Sequence, residues 1–215
     1  VNVEEHVLAA LKSTPIHTYP FPFFFAENVF PAAFYAELRA YLEKPNDYIS
    51  VEGRFANRTF ADGSLIPGIE FMHGKKFLVE MLHLFEEPLQ AEFGGVKAKF
   101  RRDLRLVRDH KNYSIGPHTD MPLKVLSLLF YLPPDDSMKQ YGTSFYKPLD
   151  PTFICPGGPH HDFEDFKEIG RAPFLPNSCL GFWKTDTSFH GVAPIPVTIT
   201  RDVLLYNIYR GPTAK

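Results

Sequence analysis

Cysteine is almost missing from this chain. Only Cys155 and Cys179 occur in 215 residues, too few for a disulfide framework or a cysteine-rich zinc site. The expectation for both is a buried or loop thiol without chemistry. Long apolar runs are missing too. Nothing approaches the roughly 18 consecutive apolar residues of a membrane-spanning helix. The first twelve residues carry Glu4 and Glu5 and lack the apolar stretch of a secretory signal. An excess of basic charge is the third absence. Lys plus Arg number 23 against 25 Asp plus Glu, a net charge of -2. A protein held on nucleic acid by phosphate neutralisation needs the opposite balance. These absences point to a cytoplasmic protein with neither a nucleic-acid nor a membrane partner.

Proline and phenylalanine are abundant, 20 and 21 residues, which favours short strands and ordered loops over a helical bundle. The length suits a single domain of residues 1–215. Residues 1–95 read as a mainly helical support. Val3 to Leu11 and Ala32 to Leu42 have apolar residues at helical spacing, and Phe77 to Glu87 repeats the pattern. Residues 45–68 have loop composition. From residue 96 to 211 the period shortens. Strands are expected near Ala98–Leu106, Val125–Leu132, Thr143–Tyr146, Leu180–Lys184, Gly191–Ile195 and Val203–Tyr209, with a Pro-, Gly- and His-rich insertion at 147–176. Helices first and strands later give an α+β class.

Of nine histidines, two stand in a chemically meaningful context. In an extended chain residues i and i+2 share a face, so His118 and Asp120 would present an imidazole and a carboxylate side by side. His190, on another strand of the same barrel, could complete a two-histidine, one-carboxylate set that leaves three positions of a divalent metal open. Arg201 follows His190 by eleven residues. A hairpin over residues 191–209, centred near Pro196 and Val197, would set Arg201 opposite about Val192 and close to His190. A guanidinium there suits bidentate capture of a carboxylate.

With these residues the chain resembles the iron(II)- and 2-oxoglutarate-dependent oxygenases, in particular the prolyl-4-hydroxylase-like branch. Tyr19-Pro20-Phe21-Pro22-Phe23 followed by Asn28-Val29-Phe30-Pro31 and a helix is similar to that branch's entry segment. The resemblance implies a double-stranded β-helix (jelly-roll) core with N-terminal helices packed on it. It implies Fe(II) held by His118, Asp120 and His190, and 2-oxoglutarate gripped by Arg201. Ascorbate as a reductant and O2 as co-substrate come with it. The implied activity is hydroxylation of a small-molecule or peptidyl substrate with release of succinate and CO2. Asp120 favours hydroxylation over halogenation, because the related halogenases lack this carboxylate; desaturation, ring closure and epimerisation remain open. Two other readings stay alive: a cupin-like metalloenzyme that uses no 2-oxoglutarate, and a non-catalytic jelly-roll binding module.

Other residues carry a weaker signal. The Tyr113 hydroxyl could donate to a 2-oxoglutarate carboxylate or simply be a core tyrosine. Lys124 could face the site or solvent. Arg105 and Arg108 read as a solvated strand face. His160 and His161, beside Asp162 in the insertion, read as a surface or substrate-covering loop. Trp183 reads as core.

Overall fold

The computed structural model describes residues 2–44, 48–50, 56–196 and 198–211. Helix α1 (Val3–Lys12) starts at Asn2, whose side chain accepts from the Glu5 N–H. Glu4 and Glu5 sit at its positive end and Lys12 at its negative end. It buries Val7, Leu8 and Leu11, the apolar stripe read from the sequence. Strand β1 (Phe23–Glu27) precedes α2 (Ala32–Glu43), which buries Phe34, Leu38 and Leu42.

Two short strands follow, β2 (Ile49–Ser50) and β3 (Arg58–Asp62). The expected loop at 45–68 is thus corrected within its described part; residues 45–47 and 51–55 lie outside the described residues. Strand β3 has little apolar character of its own. It forms because its backbone pairs with a neighbour distant in sequence. The third expected helix is two helices, α3 (Lys75–Leu84) and α4 (Glu86–Phe93), broken at Phe85 with φ −108° and ψ 50°. Pro88 falls in the first turn of α4, where a missing N–H costs no helical bond.

The remaining strands are β4 (Phe100–Asp109), β5 (Ile115–His118), β6 (Lys124–Tyr131), β7 (Thr143–Pro148), β8 (Phe166–Ala172), β9 (Ser178–Trp183), β10 (His190–Val192) and β11 (Arg201–Arg210). They make two antiparallel sheets: a seven-stranded one in the order β1-β9-β6-β11-β4-β3-β2 and a four-stranded one in the order β5-β10-β7-β8. The fold is therefore the expected α+β jelly roll. The expected insertion at 147–176 is partly sheet, because β8 within it pairs along β7; 149–165 is its irregular part.

Strand β6, in the middle of the seven-stranded sheet, is covered on both faces, which explains why it reads as a continuous apolar run. On β11 the even positions Leu204, Tyr206 and Ile208 join the helix core, with Phe77, Met81 and Leu38. The odd positions Val203 and Leu205 face the small sheet, in a cluster with Phe145, Phe174 and Tyr131. Trp183 is buried in the helix core, its indole N–H donating to Glu92, and both cysteines are buried and unpaired. Among the described residues no helix is long and apolar enough to cross a membrane.

Asn177 ties the N-terminal support to the barrel. Its carboxamide accepts from the Phe30 N–H and donates to the Phe30 carbonyl, both at 2.8 Å, in a buried position. Its φ of 53° is one that asparagine tolerates better than most residues. Replacing Asn177 by alanine removes both bonds and leaves two buried peptide groups short of a partner. A loss of about 2–4 kcal/mol is expected, read as a fall in the urea midpoint at unchanged slope.

Candidate active site

His118 ends β5 and His190 begins β10, and the two are direct cross-strand partners. That register brings their rings to 4.3 Å between centroids. Asp120 arrives differently from the expected strand alternation. It lies just beyond β5 with φ 65°, so the chain turns and swings the carboxylate back toward the histidines. Asp120 Oδ2 stands 3.8 Å from His190 Nε2. One ligand atom from each of His118, Asp120 and His190 lies within 4.8 Å of the others, a spacing that can hold one metal ion.

Each group is oriented by a second contact. His118 Nδ1 bonds the Gly116 carbonyl and His190 Nδ1 bonds the Ser188 carbonyl, both at 2.9 Å. A carbonyl only accepts, so each Nδ1 carries the proton and each Nε2 keeps its lone pair for a metal. Burial pushes both imidazoles down toward the neutral form, His118 further because His190 is close. Burial alone would raise the Asp120 carboxyl. Lys124, His190 and His118 outweigh it and hold the group well below the usual carboxylate range. Lys124 Nζ donates to Oδ1 at 2.8 Å and Ser127 Oγ to Oδ2 at 3.1 Å. Lys124 thus faces the site.

The ligand loop is packed from outside by the insertion. The Thr119 hydroxyl donates to the Cys155 carbonyl, and the His161 N–H donates to the Pro117 carbonyl. Gly157, at φ 124°, lies so close that a Cβ would stand 2.0 Å from the Asp120 carbonyl oxygen. Gly157→Ala is therefore expected to displace the Asp120 turn and weaken metal binding about tenfold, on the scale of lost outer contacts to a metal ligand; a metal titration checks it. His160 lies on the cavity wall with its ring 4.8 Å from that of His118. His161 instead packs among Phe153, Phe166 and Phe189.

The three ligating groups open into a cavity of about 410 Å³ between the sheets, which Arg201 and Arg58 also line. The expected hairpin is corrected here. Strands β10 and β11 lie in different sheets, and β11 pairs with β4 and β6; Val197, its expected centre, is outside the described residues. Arg201 reaches the cavity from the facing sheet. It is directly opposite Asp109 on β4, which is opposite Arg58 on β3. Arg201 Nη1 meets Asp109 Oδ2 at 2.7 Å, and Arg58 binds both oxygens of the same carboxylate. Two guanidiniums thus share one fully buried carboxylate. Arg201 also donates to the Tyr141 carbonyl and to Thr143 Oγ1, which uses three of its five N–H groups. Thr143 accepts from Tyr131 as well, so its own hydroxyl proton remains to be given. Tyr113 does not wall the cavity. Its ring lies 4.1 Å from the Arg58 guanidinium, and its buried hydroxyl has no partner among the described residues. Burial raises that hydroxyl well above the usual tyrosine range.

No family model and no curated protein sequence matches this chain. Solved structures do. A prolyl-4-hydroxylase from Pseudomonas putida superposes with a TM-score of 0.55 at 13% identity, over 95% of this chain and 99% of that one. A prolyl hydroxylase from Trichoplax adhaerens, in complex with a hypoxia inducible factor peptide fragment, gives 0.54 at 14% identity, over 95% and 88%. The fold is that of the 2-oxoglutarate–iron(II) oxygenases. HygX from Streptomyces hygroscopicus, solved with nickel, 2-oxoglutarate and hygromycin B, gives 0.53 at 11% identity, over 87% and 82%. Peptide-bound and small-molecule-bound proteins thus share this oxygenase fold.

Sequence reading passed over Arg58, Asp109, Thr143, Ser127 and Asn207. Asn207 carried a usable signal, since it shares the odd positions of β11 with Arg201. Arg58 carried none, because its strand exists only as a partner of β4. Arg105 and Arg108 point to opposite faces: Arg105 lines the cavity, whereas Arg108 binds Asp202 and the Leu42 carbonyl on the helix side.

Proposed function

We propose that this chain is an Fe(II)- and 2-oxoglutarate-dependent dioxygenase that hydroxylates a small-molecule or peptidyl substrate. The observation that carries this reading is that Arg201 shares one cavity with the three ligating groups and has donors to spare. It is almost fully buried, and two of its five N–H groups have no acceptor among the described residues, while Thr143 keeps a hydroxyl proton to give. Buried donors of a charged group call for an acceptor, and the distal carboxylate of a keto acid is one. Arg201 and Thr143 would take that carboxylate, and Tyr113, off the cavity wall, is proposed to contribute by positioning Arg58, whose guanidinium lies 4.1 Å from its ring.

His118 Nε2, Asp120 Oδ2 and His190 Nε2 would hold the iron. Two neutral imidazoles and one carboxylate leave a single positive charge on a ferrous ion and open positions for a chelating keto acid and O2. Bound there, iron and 2-oxoglutarate supply the oxidising power for attack on a C–H bond, the keto acid leaving as succinate and CO2. The chain's own residues orient and exclude. Ser188 and Gly116 fix the imidazoles, and Lys124 holds the Asp120 oxygen turned away from His190. Phe182, 4.5 Å from the His190 ring, covers one side of the centre against water.

Asp109 gives a second reading some support, because Arg201 already has an ion-pair partner; a cupin-like metalloenzyme needs no keto acid. Anaerobic titration with Fe(II) and then 2-oxoglutarate separates the two. A weak visible charge-transfer band that needs both components supports the oxygenase. Metal binding without the band supports the cupin-like enzyme, and no metal binding supports a non-catalytic binding module. Tyr113→Phe keeps the ring against Arg58 and removes only a hydroxyl that lies off the cavity wall. The 2-oxoglutarate dissociation constant is therefore expected to change less than about threefold, well below the worth of a direct hydrogen bond, whereas Tyr113→Ala should raise it more, in the same titration.

A further inference from the structure

Beyond the three ligating groups, the inner face of the large sheet carries a polar row. Ser127, Asn207 and Asp103 are cross-strand partners on β6, β11 and β4. Ser127 touches Asp120, so Asn207 lies one strand spacing, about 4.8 Å, from a residue in contact with the proposed metal ligand. Asn207 lines the cavity, is only 3% exposed, and its Oδ1 finds no donor among the described residues. A buried, unpaired carboxamide oxygen is rare and costly in a folded protein. Here it faces a space large enough for a ligand.

The mouth of the same cavity has its own electrostatic bias. Arg101 and Arg105 line it on β4, both exposed, with Asp103 between them. Arg105 bonds Asp103 at 2.7 Å, which neutralises one guanidinium. Arg101 stacks 4.4 Å over the ring of Tyr209, its direct partner on β11, and so is held in place by a ring instead of an acid. A divalent metal and a dianionic keto acid cancel each other, so loading the metal end leaves this surplus positive charge in place.

We propose that the substrate is a small molecule carrying an anionic group, carboxylate or phosphate, that docks at Arg101, beside the Arg105–Asp103 pair, and gives an N–H or O–H to Asn207. This rests on the oxygenase reading for the chemistry but not for the recognition. The anion would lie diagonally across the sheet from Asn207, a separation of about 7–8 Å, which suits a compact molecule with its polar groups at two ends. Ser127 and Asp120 then lie next to the Asn207-bound end, so that end is presented to the metal.

Calorimetric binding of matched probes tests this on the protein loaded with Zn(II) and 2-oxoglutarate, and again without either. N-acetyl-L-leucine is compared with N-acetyl-L-leucinamide, and glucose 6-phosphate with glucose. At least one charged probe is expected to bind tenfold or more tightly than its neutral counterpart, and which pair does so separates a carboxylate from a phosphate substrate. Asn207→Leu, close in volume, should weaken that probe at least tenfold. Arg101→Gln, which leaves the Arg105–Asp103 pair intact, should abolish the preference for the charged member. Equal binding of charged and neutral members, no binding of either charged probe, or full binding by Asn207→Leu would overturn the proposal. Failure of the oxygenase reading shows separately, as loss of the iron and 2-oxoglutarate band in the unaltered protein, while the probe preference is still read on the metal-free form.

Discussion

Asp120→Asn and His190→Ala are each expected to lower Fe(II) affinity by at least about 100-fold while the protein stays folded. Changes in the outer contacts of a metal ligand already cost about 10- to 100-fold, so loss of a ligand should cost no less. Asparagine is the informative replacement at Asp120. The residue sits at φ 65°, where alanine would add backbone strain of about 1–3 kcal/mol and confuse metal loss with misfolding. Asparagine tolerates that conformation, keeps the volume, and removes the charge that draws in Lys124 and a metal. At His190 the ring packs against Phe182 and His118, so alanine leaves a gap but no unpaired charge. Metal titration read beside a thermal unfolding curve checks both variants. Iron binding at the parental level in either one would remove that residue from the metal site.

Arg201→Ala should weaken 2-oxoglutarate by about 2–4 kcal/mol, roughly 30- to 1,000-fold, the range for truncating one partner of a buried charged pair. Iron affinity should move far less. Asp109 is not stranded by the change, because Arg58 still binds both of its oxygens; the fold therefore survives. Arg201→Lys keeps a positive charge but cannot reach Asp109, Tyr141 and Thr143 together from one planar fork. Its affinity for the keto acid should fall between parent and alanine. Unchanged 2-oxoglutarate binding in Arg201→Ala would leave the guanidinium as an ion-pair partner of Asp109 and nothing more.

Local pattern and long-range pairing divide the site between them. The apolar stripes of α1 and α2 were legible because a helix face repeats within a few residues, and β6 was legible because a strand covered on both sides is apolar throughout. Strand β3 was not, since Arg58-Thr59-Phe60-Ala61-Asp62 has no strong period and gains its hydrogen bonds from β4, some fifty residues on. The same holds for β8 inside the expected insertion. The break at Phe85 also escaped, because the apolar positions of α3 continue smoothly past it.

The residues His118, Asp120, His190 and Arg201 stood out by type and spacing alone, and so did the α+β class; the jelly roll came only with the family resemblance. How they meet was decided only in three dimensions. His118 and His190 are adjacent because β5 and β10 pair in register; Asp120 joins them through a left-handed turn; Arg201 arrives from the opposite sheet instead of along a hairpin. The second guanidinium, the shared Asp109 and the unpaired Asn207 were invisible beforehand for one reason. A sequence shows which groups are polar, but whether a buried polar group has a partner is a property of its neighbours across the sheets, and those are set by strand order and register.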